Sequence, residues 1–199
     1  MISEFAPRRL KFGDEKLLKG QEVYARRTRR NVFTGEVPAI ITPPDFRNTY
    51  IITAFIGIDE RSSLIHFRIN KAQNNADQFA LDLEMAVISG FLLSGDVLVL
   101  DNAVYHTGGG NTVLESWMWE EYGFFILFLP ARMPEWNPTE LAWRALVQGL
   151  KKNPLSILCK MGTYSPVHAA HYVMSDFTHD QMRSFYKLCK VLKGDNSYR

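Results

Sequence analysis

The sequence predicts an α/β fold whose sheet contains strands of both directions, and three stretches carry that reading. Tyr50 to Ile58 (YIITAFIGI) is rich in β-branched and aromatic residues, Asp59-Glu60-Arg61-Ser62 makes a turn, and Leu64 to Ile69 alternates as the partner strand of an antiparallel hairpin. Between Asn75 and Gly90, Phe79, Leu83, Ala86 and Val87 recur at helical spacing, and Gly95-Asp96 then leads into the apolar run Val97 to Leu100. A helix from Thr112 to Tyr122, closed by Gly123, leads in the same way into Phe124 to Leu129. Helix followed by buried strand is the mark of a crossover unit, which joins parallel strands.

With 199 residues, 46% of them hydrophobic and 13% aromatic, the chain can bury one sizeable core, so one domain with a small appendage is expected. A net charge of +2 permits a polyanionic partner without requiring one. Cys159 and Cys189 have no metal-ligand spacing and read as ordinary reduced thiols of an intracellular protein. No apolar run reaches the length of a membrane span and the N-terminus lacks the apolar core of a signal peptide, so a soluble protein with no membrane partner is expected.

The remaining elements follow in order. Arg9 to Phe12 alternates and could form a short strand that delivers Asp14 and Glu15 at its end, although on these residues alone a frayed terminus with two solvated acids is the preferred reading. Residues 16–48, with scattered Gly and Pro, read as loop with short strand pieces. Within them Arg26, Arg27, Arg29 and Arg30 can grip phosphates in bidentate fashion, or form a solvated basic loop. Asp59 is a rival metal ligand, but an acid beside a hairpin turn usually serves the turn. Gly108-Gly109-Gly110 lacks the lysine and hydroxyl of a phosphate-binding loop and receives no nucleotide role. A helix from Pro138 to about Lys152 is announced by Asn137 as cap and Pro138 at its first position, with Trp143, Leu146, Val147 and Leu150 as its buried stripe. Val167 to Met174 and Gln181 to Leu192 also read as helices, the second after the cap Thr178. His168, His171 and His179 have no companions at zinc spacing.

Two acids stand out. Asp101 ends the buried run Val97 to Leu100, and Glu140 lies in the first turn of a later helix. Strand, helix, strand, loop and helix in that order can bring the two together, and paired carboxylates suit a hard divalent cation such as magnesium. Each has a plainer explanation: Glu140 can complete a capping box with Asn137, and Asp101-Asn102 can be turn chemistry.

Leu98-Val99-Leu100-Asp101-Asn102-Ala103 with His106, Leu129-Pro130 with Pro134-Glu135, and Asn137-Pro138-Thr139-Glu140 with Trp143 resemble the motifs of DDE-superfamily endonucleases of the mariner-like and insertion-sequence transposases. Phe12-Gly13-Asp14-Glu15-Lys16 resembles the segment that carries that family's leading aspartate. Met133, Trp136 and Thr139 depart from the family pattern, which has Ser, Leu and Ile there, and leave Glu140 in place.

The resemblance implies a ribonuclease H-like fold, a mixed five-stranded sheet flanked by helices, with strands near 8–13, 50–58, 64–69, 97–101 and 124–129. A catalytic domain over 1–155 would carry a helical extension over 156–199 packed on it. Asp14, Asp101 and Glu140 would be the catalytic acids and the ligands of two Mg2+ (or Mn2+) ions, with Asn102, His106 and Asn137 in support. Two such ions roughly 3.5–4 Å apart stabilise both the attacking and the leaving oxygen of a phosphodiester. The implied activity is cleavage of DNA to leave a 3′-hydroxyl and attack of that hydroxyl on a second DNA. Transposon ends and target DNA would be the partners and a homodimer the assembly. Trp136 adds a candidate stacking surface for an unpaired base. Full-length members carry an N-terminal helix-turn-helix region, so a truncated or non-catalytic relic that binds DNA is the alternative, and a junction resolvase of the same fold a third reading. The expected compartment is the nucleus in a eukaryote and the cytoplasm in a bacterium.

Overall fold

The computed structural model describes residues 6–19, 33–34, 48–71, 75–101, 111–130, 133–152 and 166–192. In chain order these form β1 (Leu10–Lys19), β2 (Thr49–Ile56), β3 (Ile65–Asn70), α1 (Ala76–Ile88), β4 (Val97–Leu100), α2 (Asn111–Tyr122), β5 (Phe125–Phe128), α3 (Pro138–Lys152), α4 (Pro166–Ser175) and α5 (His179–Leu188). Single 3-10 turns precede β1 at Pro7–Arg9 and α3 at Pro134–Trp136. The sheet order is β3-β2-β1-β4-β5. β3, β2 and β1 pair antiparallel, while β4 runs parallel to both β1 and β5. The fold is therefore the ribonuclease H-like mixed five-stranded sheet flanked by helices.

Side-chain alternation divides the core into two layers. One face buries Leu10, Phe12, Leu18, Ile52, Ile56, Val97 and Val99 against Trp143, Leu146, Ala170, Met174, Met182 and Tyr186 of α3, α4 and α5. The other buries Phe55, Leu98 and Leu100 against Phe79, Leu83, Phe91 and Met118 of the α1 and α2 side. β4 is covered on both faces, which is why its four residues are all apolar.

The helix ends follow their local chemistry. Asn75 caps α1 by accepting from the Gln78 N–H, and Gly90, with φ of 73°, supplies the left-handed residue of a Schellman turn in which the Phe91 N–H reaches the Ala86 carbonyl at 2.9 Å. Thr178 and Gln181 form a reciprocal capping box at α5. That helix stops at Leu188, short of Leu192, because Lys190 adopts φ of 60° and the Val191 N–H turns back to the Tyr186 carbonyl at 2.9 Å.

The first strand differs more from expectation. β1 continues to Lys19, so Asp14 lies in mid-strand and residues 16–19 are strand instead of loop. The cause is β2, whose pairing holds the polar stretch in the ladder from Phe12↔Ile56 to Lys19↔Thr49. Backbone hydrogen bonding to a neighbour does not depend on the side chains that made this stretch look irregular.

Candidate active site

β4 pairs with β1 only from Leu10↔Val97 to Phe12↔Val99. Beyond that point the ladder of β1 is with β2 alone. Carrying the register two residues further brings Asp14 level with Asp101. Both also fall on the face that carries α3, since Asp14 shares the parity of Leu10 and Phe12, and Asp101 that of Val97 and Val99.

α3 reaches the same place from above. Asn137 is buried, and its side-chain carbonyl accepts from the Thr139 N–H at 3.1 Å and from the Thr139 hydroxyl at 2.5 Å. The Asn137 N–H donates to the Pro134 carbonyl at 3.0 Å. A capping box would assign that N–H to Glu140, so the simpler role foreseen for Glu140 is not the one the helix uses. One turn along, the Trp143 indole N–H donates to Asp14 Oδ2 at 2.9 Å, and the Thr139 hydroxyl lies 3.5 Å from the same oxygen. The other carboxylate oxygen of Asp14 accepts from the Glu15 N–H at 2.8 Å. Glu140 therefore sits on the helical turn that is fastened to Asp14.

Burial pushes the Asp14 carboxyl up to about 7, against the Trp143 and Glu15 hydrogen bonds, and the negative charges of Asp101 and Glu140 add to the rise. An acid that feels two others through a poorly hydrated site is one that a cation would relieve. Three carboxylates are also the right donor chemistry for a hard divalent ion, so the residues fit such a group. Among the described residues, no three His, Cys, Asp or Glu side chains stand close enough as placed to grip a metal ion by themselves.

Asn102, His106, Arg26, Arg27, Arg29 and Arg30 lie outside the described residues. Trp136 is 43% exposed on the turn that leads into Asn137, on the surface next to α3. Asp59 lies in the turn past the C-terminal end of β2, where its carboxylate accepts from the Arg61 N–H at 3.0 Å and forms an ion pair with the Arg61 guanidinium, as a turn residue does. Two residues quoted from the sequence take a part it did not assign them. Trp143 reads as part of a buried stripe, and Thr139 as a departure from a family pattern. Neither signals a contact with a residue more than a hundred positions away.

The architecture is that of a ribonuclease H-like α/β domain, with Asp14 on β1, Asp101 after β4 and Glu140 on the first turn of α3. The sequence pattern of the DDE superfamily endonucleases matches residues 9–158, and the chain belongs to that family. Among solved structures, the Mos1 mariner paired end complex with Mn is similar at a TM-score of 0.64 and 14% identity, covering 94% of this chain and 54% of that one. The pre-cleavage Mos1 transpososome is similar at 0.64 and 14%, covering 92% and 54%. The simian T-cell lymphotropic virus intasome in complex with the PP2A regulatory subunit B56 gamma follows at 0.51 and 13%, covering 84% and 47%. The chain thus spans about half the length of the structures it matches, and at these identities the likeness is one of fold. No curated protein sequence matches the chain.

Proposed function

We propose that the chain cuts DNA phosphodiesters and transfers the resulting ends, using two divalent cations, Mg2+ or Mn2+, held by Asp14, Asp101 and Glu140. The observation that supports this reading is the fastening of α3, the helix that bears Glu140, to Asp14 through the Trp143 N–H. The Mos1 relatives support it as a paired end complex with Mn and a transpososome, which makes transposon-end and target DNA the proposed substrates and a homodimer the proposed assembly.

Cations in this site would neutralise charge on the attacking and leaving oxygens of an in-line displacement. Asp14, half-buried and held by two N–H donors, offers an oriented carboxylate. Asp101 follows directly from a strand buried on both sides, and Glu140 projects from a capped helical turn, so each acid stands on a rigid element. Asn137 orients that turn, and three carboxylates would leave ligand positions for water and phosphate oxygens, which magnesium prefers to a closed protein cage. Asn102 and His106 are assigned supporting roles, Arg26, Arg27, Arg29 and Arg30 the DNA backbone, and Trp136 an unpaired base. Residues 1–155 form the catalytic unit, with 156–199 as a helical extension packed on it.

The test is nicking of supercoiled and linear DNA in Mg2+, in Mn2+ and in chelator, with Asp101→Asn as control. Cation-dependent cleavage by the wild type that disappears in the variant supports the proposal. DNA binding without turnover in either cation replaces it with a non-catalytic, regulatory role, and a preference for branched substrates moves it to junction resolution.

A further inference from the structure

Trp143 packs in the core with only 5% of its surface exposed, as the stripe of α3 requires, yet its polar edge does not face another core element. The indole N–H meets Asp14 Oδ2 at 2.9 Å. The hydroxyl of Thr139, the other side-chain donor near that oxygen, stands 3.5 Å away and is 2.5 Å from the Asn137 carbonyl, where its single proton is better placed. Trp143 is therefore the short side-chain donor to Oδ2. The Glu15 N–H holds Oδ1 at 2.8 Å. Each carboxylate oxygen has two acceptor directions, so these two bonds fix the plane of the carboxylate and leave one direction on each oxygen for a ligand.

We infer that Trp143 is a positioning residue: its indole N–H sets the orientation in which Asp14 receives a divalent cation. The inference rests on the proposed metal site. It also means that α3 acts twice, supplying Glu140 and aiming Asp14 from one helical turn, so the spacing of the two acids is set by a rigid i, i+3 relation. Hydrogen bonds to a ligating carboxylate of this kind commonly govern metal affinity by ~10–100-fold.

The experiment measures Mn2+ binding by the electron paramagnetic resonance of free Mn2+, alongside the Mn2+ concentration that half-saturates nicking and the rate at saturation. Trp143→Phe keeps an aromatic ring in the core and removes the N–H. Leu146→Val, on the same helix stripe, is the control for loss of packing alone. The expected result is Mn2+ affinity at least ~10-fold weaker in Trp143→Phe and unchanged in Leu146→Val, with most of the nicking rate restored at saturating Mn2+. If Trp143→Phe does not fold, replacement of Trp143 by benzothienylalanine, which keeps the ring shape without the N–H, reads the same bond. Wild-type Mn2+ affinity in the variant lacking the N–H, or equal weakening in Leu146→Val, overturns the inference and leaves the metal site standing. No Mn2+ binding by the wild type overturns both.

Discussion

The phenol of Tyr186, on the last helix, donates its buried hydroxyl to the Leu10 carbonyl at the first residue of β1, 2.9 Å away. The same hydroxyl lies 3.1 Å from the Ile56 carbonyl at the end of β2. The ring meets Phe12 edge to face, with centroids 5.3 Å apart. One side chain thus closes the strand pair that carries Asp14 against the C-terminal helices. Tyr186→Phe keeps the ring and leaves two buried carbonyls without this donor. Chemical denaturation is expected to show a loss of about 1–3 kcal/mol, with Mn2+ affinity unchanged because the hydroxyl bonds only the Leu10 and Ile56 carbonyls and none of the acids.

Asp14 predicts the opposite trade. Burial and two neighbouring acids hold its carboxyl up to about 7, so at pH 8 the folded protein carries a charge that the unfolded chain carries more easily. A folded value above the unfolded one means that ionisation weakens the fold. Asp14→Asn is therefore expected to be more stable than the wild type at pH 8 in chelator, by roughly 1–3 kcal/mol. Adding Mg2+ should raise the melting temperature of the wild type by mass action and leave the variant unmoved. A variant less stable than the wild type in chelator would show that the buried charge is better compensated than its surroundings suggest.

In the turn after β2, Asp59 gives the acid limit. The Arg61 hydrogen bonds hold its carboxyl down to about 2 despite burial, with Lys11 adding to the effect. A folded value below the unfolded one contributes stability that is complete above about pH 4 and is lost as pH falls through about 2. Asp59→Asn should flatten that part of the stability curve. A titration of unfolding free energy between pH 5 and pH 2 in wild type and variant checks it, and parallel curves would refute it.

Packing of α3 on α4 depends on Gly149. A methyl group there would stand 2.6 Å from Val173 Cγ1, closer than carbon atoms approach. Gly149→Ala is expected to cost about 1–3 kcal/mol despite the better helix propensity of alanine. Combining it with Val173→Ala should recover much of the loss, which denaturation of the double variant measures.

The ladder of strands and helices was legible because each carries a local signal: alternation in Leu64 to Ile69, an unbroken apolar run before Asp101, Asn-Pro before α3, and Thr178 before α5. These depend on residues a few positions apart, and the α3 bounds Pro138–Lys152 came directly from them. β1 was misjudged because its second half is held by pairing with β2, which polar side chains at Asp14, Glu15 and Lys16 neither require nor forbid.

For the site, the sequence by itself supplied the chemical types, an acid after a buried strand and another in a helix's first turn, and the family motifs added Asp14 to them. Only the tertiary structure decided that α3 is tied to Asp14 by the Trp143 N–H, that the Asn137 N–H goes to Pro134 instead of Glu140, and that Asp14 is poorly hydrated. The physical reason is range. Helix caps and strand alternation are set by neighbours along the chain, whereas desolvation and a hydrogen bond across 129 positions exist only once the sheet and α3 have closed on each other.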